Sequence, residues 1–280
     1  MSLHDQPGTA AARLRVTQPA VHASAKGLLD PNVGKPLTTV IDGETWARIP
    51  LGTDLFDRGD DLGAKIARVL RPAVEAALAD PDLQGGFRQR WYVLVVGKIV
   101  AITQGRSFFT WEIQPGLAAR LLSKFVMRTP HGLGLGSPWA MQLAIDEAGL
   151  PRVLGASAIG LAGKVIRRRG WFYRVAGHHV NDINGPTEYS AYPSNVSAKM
   201  APKDPERVST DLRRTIQRSL PPDARPTFGG VALIDANDLG RQILGQDTDR
   251  SNAFFDALVA DNPMGQGRQL TPIALALRIG

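Results

Sequence analysis

Apolar and polar positions along the chain alternate between two spacings. Together they predict helices interleaved with short strands. Residues 1–38 are rich in Ala, Gly, Pro and Ser and show little periodicity, so a flexible leader is expected there, followed by a main domain over 39–280 in one body or two lobes. Ala47-Arg-Ile-Pro-Leu51 reads as a short strand. Asp57-Arg-Gly-Asp-Asp61 reads as a turn, with Asp60 or Asp61 able to cap a helix over Leu62–Ala79. Leu62, Ile66, Val69 and Leu70 would share one face of that helix, and Pro72 should kink or split it. Gly85-Gly86 marks a loop. Tyr92–Val96 is a buried strand, which Lys98–Ile102 either continues or follows as a second strand. Leu117–Met127 is helical and is stopped by Thr129-Pro130.

His131–Pro138 is a glycine-rich loop that leads into a helix through Ala140, Leu143, Ala144 and Ala148. Its spacing matches neither of the standard phosphate-loop patterns. A plain glycine turn and a loop offering N–H groups to an anion both account for it. Val153–Leu161 fits helix or strand, and Trp171–Val175 fits a strand. Residues 177–207 form a long polar stretch, the kind of segment that is usually functional or disordered. Leu212–Leu220 is a short helix and 221–226 a linker. Val231-Ala-Leu-Ile is a buried strand running into Asp235, Asn237 and Asp238, with Gly240 as the turn. Asn252–Val259 is a helix and Ile273–Ile279 a closing strand. This interleaving leaves α/β and α+β open.

Composition narrows the chemistry. The chain has no cysteine, which removes disulfides, thiolate metal sites and cysteine nucleophiles. Its 33 basic and 26 acidic residues give a net charge of +7, densest at Arg167-Arg168-Arg169. No helix-turn-helix, zinc-finger or aromatic RNA-binding pattern accompanies that charge. It therefore points to solubility or an anionic small molecule rather than to nucleic acid. Residues 1–30 lack a signal-peptide core, and no segment approaches the roughly 20 apolar residues of a membrane span. A cytoplasmic protein without a membrane partner is expected.

Five segments, in order, resemble the coenzyme F-420 gamma-glutamyl ligase family. They are Arg48-Ile-Pro-Leu51 with Arg58-Gly-Asp-Asp-Leu62; Val93–Ile102 leading to Gly105-Arg106; Ser194-Asn195-Val196 with Pro202-Lys-Asp204-Pro205; Asp235 with Gly240-Arg241; and Met264-Gly265-Gln266 with Thr271-Pro272. The resemblance covers roughly residues 45–280. It implies an α+β fold of mixed sheets with interleaved helices, assembled as an intertwined homodimer. It also implies that GTP or ATP, with Mg²⁺ or Mn²⁺, turns a carboxylate into an acyl phosphate, which a small-molecule amine then attacks to form an amide. The chain departs from the family pattern in two places. Tyr192 stands where the family has an Asp, so Asp182 is the nearest acid. Asn237 holds the family spacing to Gly240, with Asp235 five residues back. These departures point to a divergent substrate. They also motivate the alternative of a non-catalytic nucleotide- or metabolite-binding protein of the same fold.

The expected metal ligands are Asp182, Asp235 and Gln266, since hard divalent cations favour oxygen donors. Asp235 and Asp238 serve equally as turn formers. Lys98, Arg106, Asn195 and Lys199 are the expected nucleotide and phosphate contacts. Lys98 is alternatively a strand-end lysine reaching solvent, and Arg106 a surface ion pair. His178 and His179 are adjacent, so on a strand they would face opposite sides and form no chelating pair. No residue is singled out as the catalytic acid or base.

Overall fold

A computed structural model describes residues 27–126, 134–165, 180, 183, 185–186, 196–237, 240–265 and 269–280. Their architecture is α+β, built on a mixed six-stranded sheet in the order β1-β2-β8-β3-β6-β7. The strands are β1 (Thr38–Ile41), β2 (Glu44–Leu51), β3 (Trp91–Val96), β6 (Phe228–Asn237), β7 (Gly240–Asp247) and β8 (Ile273–Arg278). β3 runs parallel to β6, with Val93 beside Val231 and Val96 beside Ile234. The other neighbours in this sheet are antiparallel. A separate two-stranded ribbon joins β4 (Ser107–Phe109) to β5 (Ser197–Lys199).

Strand alternation divides the sheet's side chains between two cores. On one face Ile49, Leu51, Val93, Val95, Val231, Leu233, Leu275 and Leu277 pack under two helices. These are α1 (Leu62–Ala79) and, numbered in chain order among the described residues, α6 (Pro205–Ser219). On the other face Trp46, Tyr92, Leu94, Ala232, Ile234 and Ala274 meet Phe254 and Phe255 of α7 (Asn252–Leu258). Phe254 meets Trp46 edge-on at 4.9 Å between ring centres. A third cluster lies away from the sheet. It gathers Ile113, Ala119 of α3 (Leu117–Leu122), Met141 and Leu143 of α4 (Pro138–Ala148), Val153 of α5 (Leu150–Val165), and Ala198 of β5.

Local signals place most ends where expected. The Asp61 carboxylate accepts the Ala64 N–H at 2.9 Å and starts α1, and Asp80 ends it. Ser137 caps α4 through the Ala140 N–H, and Pro138 takes the first position. Pro72 does not split α1, which runs unbroken from 62 to 79 with Pro72 on its exposed side. Gly85-Gly86 lies within a short 3-10 helix (Gln84–Arg88), and α6 begins seven residues before the expected Leu212. Gly240 does not merely end β6; it opens β7, which pairs back along β6. The expected strand over 171–175 lies outside the described residues.

Of the expected leader, residues 27–38 are described, and part of it is anchored on the fold, with Thr38 opening β1. Asn32 is buried and donates to the Pro263 carbonyl at 2.9 Å and to the Thr271 hydroxyl at 3.0 Å. Arg48 is 1% exposed. It pairs with Asp261 and donates to the carbonyls of Pro36, Thr38 and Leu258. One guanidinium thus ties the amino-terminal segment, β2 and the turn after α7 together. Replacing it (Arg48→Met) strands a carboxylate and three carbonyls. We expect a loss of about 3 kcal/mol in urea unfolding, the usual order for breaking a buried ion pair. A change within about 0.5 kcal/mol, typical of an indifferent surface site, would show that the anchor contributes little.

Candidate functional site

Residues 97–102 are where the fold corrects the sequence reading most usefully. They form neither a continued strand nor a new one, but the helix α2 (Gly97–Thr103). β3 ends at Val96 and the chain turns at once into this helix. Gly97 is closely packed there, since a Cβ would stand 2.2 Å from Cδ1 of Leu244 and that side chain would have to swing aside. Lys98 is therefore the second residue of a helix packed over the carboxyl end of the β3–β6 parallel pair. In register, Asp235 comes one position beyond the Val96–Ile234 pair, so β6 carries its carboxylate to the same rim.

Lys199 arrives from elsewhere in the chain. It pairs with Ser107 across the β4–β5 ribbon. Its side chain is 7% exposed, and its ammonium lies 4.0 Å from the Asp235 carboxylate, which is 34% exposed. Burial first, and then the positive charge of Lys199, push the Lys98 ammonium down to about 8, with Asp235 partly offsetting both. Among the described residues two lysines thus act on one carboxylate at a sheet rim.

Arg106 does not join them. α2 ends in the turn at Gly105, whose φ of 71° suits glycine. Beyond it, Arg106 Nε donates to the Ala201 carbonyl at 2.5 Å, and its Nη2 pairs with Glu147 at 3.0 Å. The guanidinium faces a cavity of about 430 Å³, lined also by Gln104, Lys203, Asp204, Arg207 and Asp211. The last five were absent from the expected site. Lys203 and Asp204 lay within a quoted motif, and the only signal for Arg207 was the amino-terminal half of α6, read as loop.

Asp182, Gln266 and Asn195, three of the expected site residues, lie outside the described residues, as do Tyr192, His178 and His179. Among the described residues no group of three or more His, Asp or Glu side chains stands close enough to hold a metal ion. Asp235, with two ammonium groups acting on it, is suited to balance lysine charge rather than to attract a divalent cation. Pro272, just before β8, stands at the same rim, since the Val96 N–H donates to its carbonyl at 2.9 Å. The chain matches no protein-family model and no curated protein. No described helix is long and apolar enough to cross a membrane.

The lysine pair has a signature in stability. The unfolded chain holds the Lys98 proton up to its ordinary value of 10.5, whereas the folded chain releases it near 8. Between these values the unfolded state binds more protons, so raising the pH favours the fold. The cost of the buried charge is complete below about pH 8 and gone above about pH 10.5. Tyr92, raised to about 12 by burial and by its bond to Asp249, acts oppositely, but only above its ordinary value of 10. Lys98→Met should therefore be more stable than the wild type at about pH 7.5, with that advantage shrinking by about pH 9.5. Urea unfolding at both pH values checks this. A constant difference would mean that Lys98 keeps its ordinary proton affinity.

Proposed function

We propose that Lys98 and Lys199 hold a phosphoryl group of a nucleoside triphosphate in an amide-forming ligase. In this reading a carboxylate metabolite is activated as an acyl phosphate and then attacked by an amine. The observation that carries it is the convergence of two lysines on one carboxylate at the carboxyl end of a parallel strand pair. An anion placed beside the two ammonium groups would gain from both, and open sheets commonly bind ligands at such strand ends. The mixed α+β sheet and the order of the five sequence segments agree with the resemblance to the F-420 gamma-glutamyl ligases. An intertwined homodimer and a divergent acid substrate belong to the same reading.

The physical logic is electrostatic. A carboxylate is a poor electrophile until one of its oxygens leaves as phosphate. Preorganised cations lower the cost of the charge that moves to the phosphoryl oxygens. Lys199 is fixed by its ribbon and Lys98 by its helix, so neither must reorganise at the moment of transfer. Asp235 partly offsets the repulsion between the two ammonium groups. The Mg²⁺ or Mn²⁺ of the resemblance would require ligands beyond Asp235, and its other expected ligands, Asp182 and Gln266, lie outside the described residues. The described donors fit an anion and not a cation, so no step here is assigned to the metal.

Calorimetry with GTP, ATP and inorganic tripolyphosphate tests the reading, with Mg²⁺ present and absent. Lys199→Met should weaken binding of the triphosphate chain at least about tenfold, the loss of a charge-assisted contact. Phosphate release that needs both an acid and an amine would support the ligase. Tight nucleotide binding with no release from any acid–amine pair would favour the non-catalytic alternative. Unchanged affinity in Lys199→Met would end the phosphate assignment.

A further inference from the structure

Lys98 and Lys199 come from distant parts of the chain, so their meeting depends on whatever fastens one segment to the other. Lys199 begins a run, residues 199–202, that is buried throughout and surfaces at Lys203. The residues directly after α2 grip that run. The Met200 N–H donates to the Arg106 carbonyl at 2.9 Å, and Arg106 Nε donates to the Ala201 carbonyl at 2.5 Å. Gln104 adds a two-point contact. Its Nε2 donates to the Lys203 carbonyl at 2.9 Å, and its Oε1 accepts the Lys203 N–H at 2.7 Å. A carboxamide can do both because one planar group carries a donor and an acceptor. Pairing both ways with one residue's backbone fixes its rotation as well as its distance.

The contact stands just before a corner. Asp204 follows in a left-handed conformation, φ 49° and ψ 55°, of the kind that persists where the surrounding structure holds it. Beyond the corner the Val208 N–H donates to the Asp204 carbonyl at 3.0 Å and α6 begins. On the near side the Gln104 pair fixes Lys203. Pro202 packs by the start of α2, where a Cβ on Gly97 would lie 3.6 Å from its Cγ. The run that carries Lys199 is thus laid against the helix that carries Lys98. Arg106 also pairs with Glu147 of α4, whereas among the described residues the Gln104 side chain bonds Lys203 alone. We propose that Gln104 is a positioning residue for the lysine site, fastening the buried run to α2 so that Lys199 and Lys98 meet the same anion. The proposal rests on the phosphate reading of that pair. Gln104 itself is six residues along the chain from Lys98, about 9 Å at the helical rise, so it acts through Lys199 and not on the anion. Gln104 and Lys203 are both exposed. Water can therefore take over their bonds in a variant, which keeps the fold but gives up the fixed geometry.

The test is a double-mutant cycle of Gln104→Met with Lys199→Met, read by calorimetry with tripolyphosphate on the full chain. Methionine keeps the length of the side chain and loses both bonds. Gln104→Met alone should weaken tripolyphosphate about fivefold, the net contribution of one ordinary hydrogen bond. In the Lys199→Met background it should change nothing further, because its effect runs through Lys199. Its unfolding midpoint should stay close to that of the wild type. Unchanged affinity in Gln104→Met, or a loss that simply adds to that of Lys199→Met, would overturn the positioning role and spare the phosphate reading. Amide hydrogen exchange gives a readout without ligand, since the Met200 N–H should exchange faster in Gln104→Met. Faster exchange in a protein that binds no tripolyphosphate would keep the hold on Lys199 and remove the phosphate assignment. Unchanged exchange would overturn the hold itself.

Discussion

Everything in this fold is arranged around the parallel pairing of β3 with β6. Antiparallel neighbours can be joined by a tight turn, but parallel neighbours require the chain to leave at one end of the sheet and cross back to re-enter at the other. Residues 97–227 are that excursion. They contain α2, the β4–β5 ribbon, the apolar cluster away from the sheet, and α6, which returns the chain to cover the face it left. β3 itself is bonded to β8 on one side and β6 on the other and is buried on both faces. Its run Trp-Tyr-Val-Leu-Val-Val is correspondingly apolar throughout. The candidate site sits where the excursion departs, and it collects residues from the departing helix, the ribbon and the end of the partner strand.

The sheet was the legible part of the sequence. Strand β3, helix α1 and strand β8 announce themselves by apolar runs, a capping aspartate and turn residues, all of which act over a few positions. Lys98–Ile102 misled because a short, fully apolar run fits a strand and a buried helix equally well. Here Gly97 opens a helix packed over the end of β3 and β6, close against Leu244 of β7. No local pattern contains that information, because Leu244 lies on a strand from a distant part of the sequence. The continuity of α1 through Pro72 is a similar case. Helix propensity argues for a break, but the flanking Leu70, Ala73 and Val74 are held in the core on the opposite side.

The site was legible as residue types rather than as geometry. Lys98, Lys199 and Asp235 were each singled out, yet nothing in their spacing says that they meet. Lys199 stands in a polar stretch that reads as loop, and its burial follows from the β4–β5 pairing. Arg106 was grouped with the lysines by its Gly-Arg context, but it turns toward Ala201 and Glu147. Asp235 is expected as a metal ligand with Asp182 and Gln266, which lie outside the described residues; among those described it stands beside Lys199. The sign of a site's charge depends on neighbours drawn from three segments, and sequence order supplies only one at a time.

The position of β8 has a kinetic consequence. Residues 273–278 lie between β2 and β3, and the sheet's hydrogen bonds connect these two strands through them. Until that segment has emerged from the ribosome, β1–β2 and β3–β6–β7 are two half-sheets, each with one raw edge. Arg48 cannot close on Asp261 until the chain has been made that far, and the rim formed by Pro272 and Val96 cannot form at all. Assembly is therefore a late zippering event with high contact order, and such topologies fold slowly. During synthesis the exposed edges of β2 and β3, both strongly apolar, would be natural substrates for chaperones.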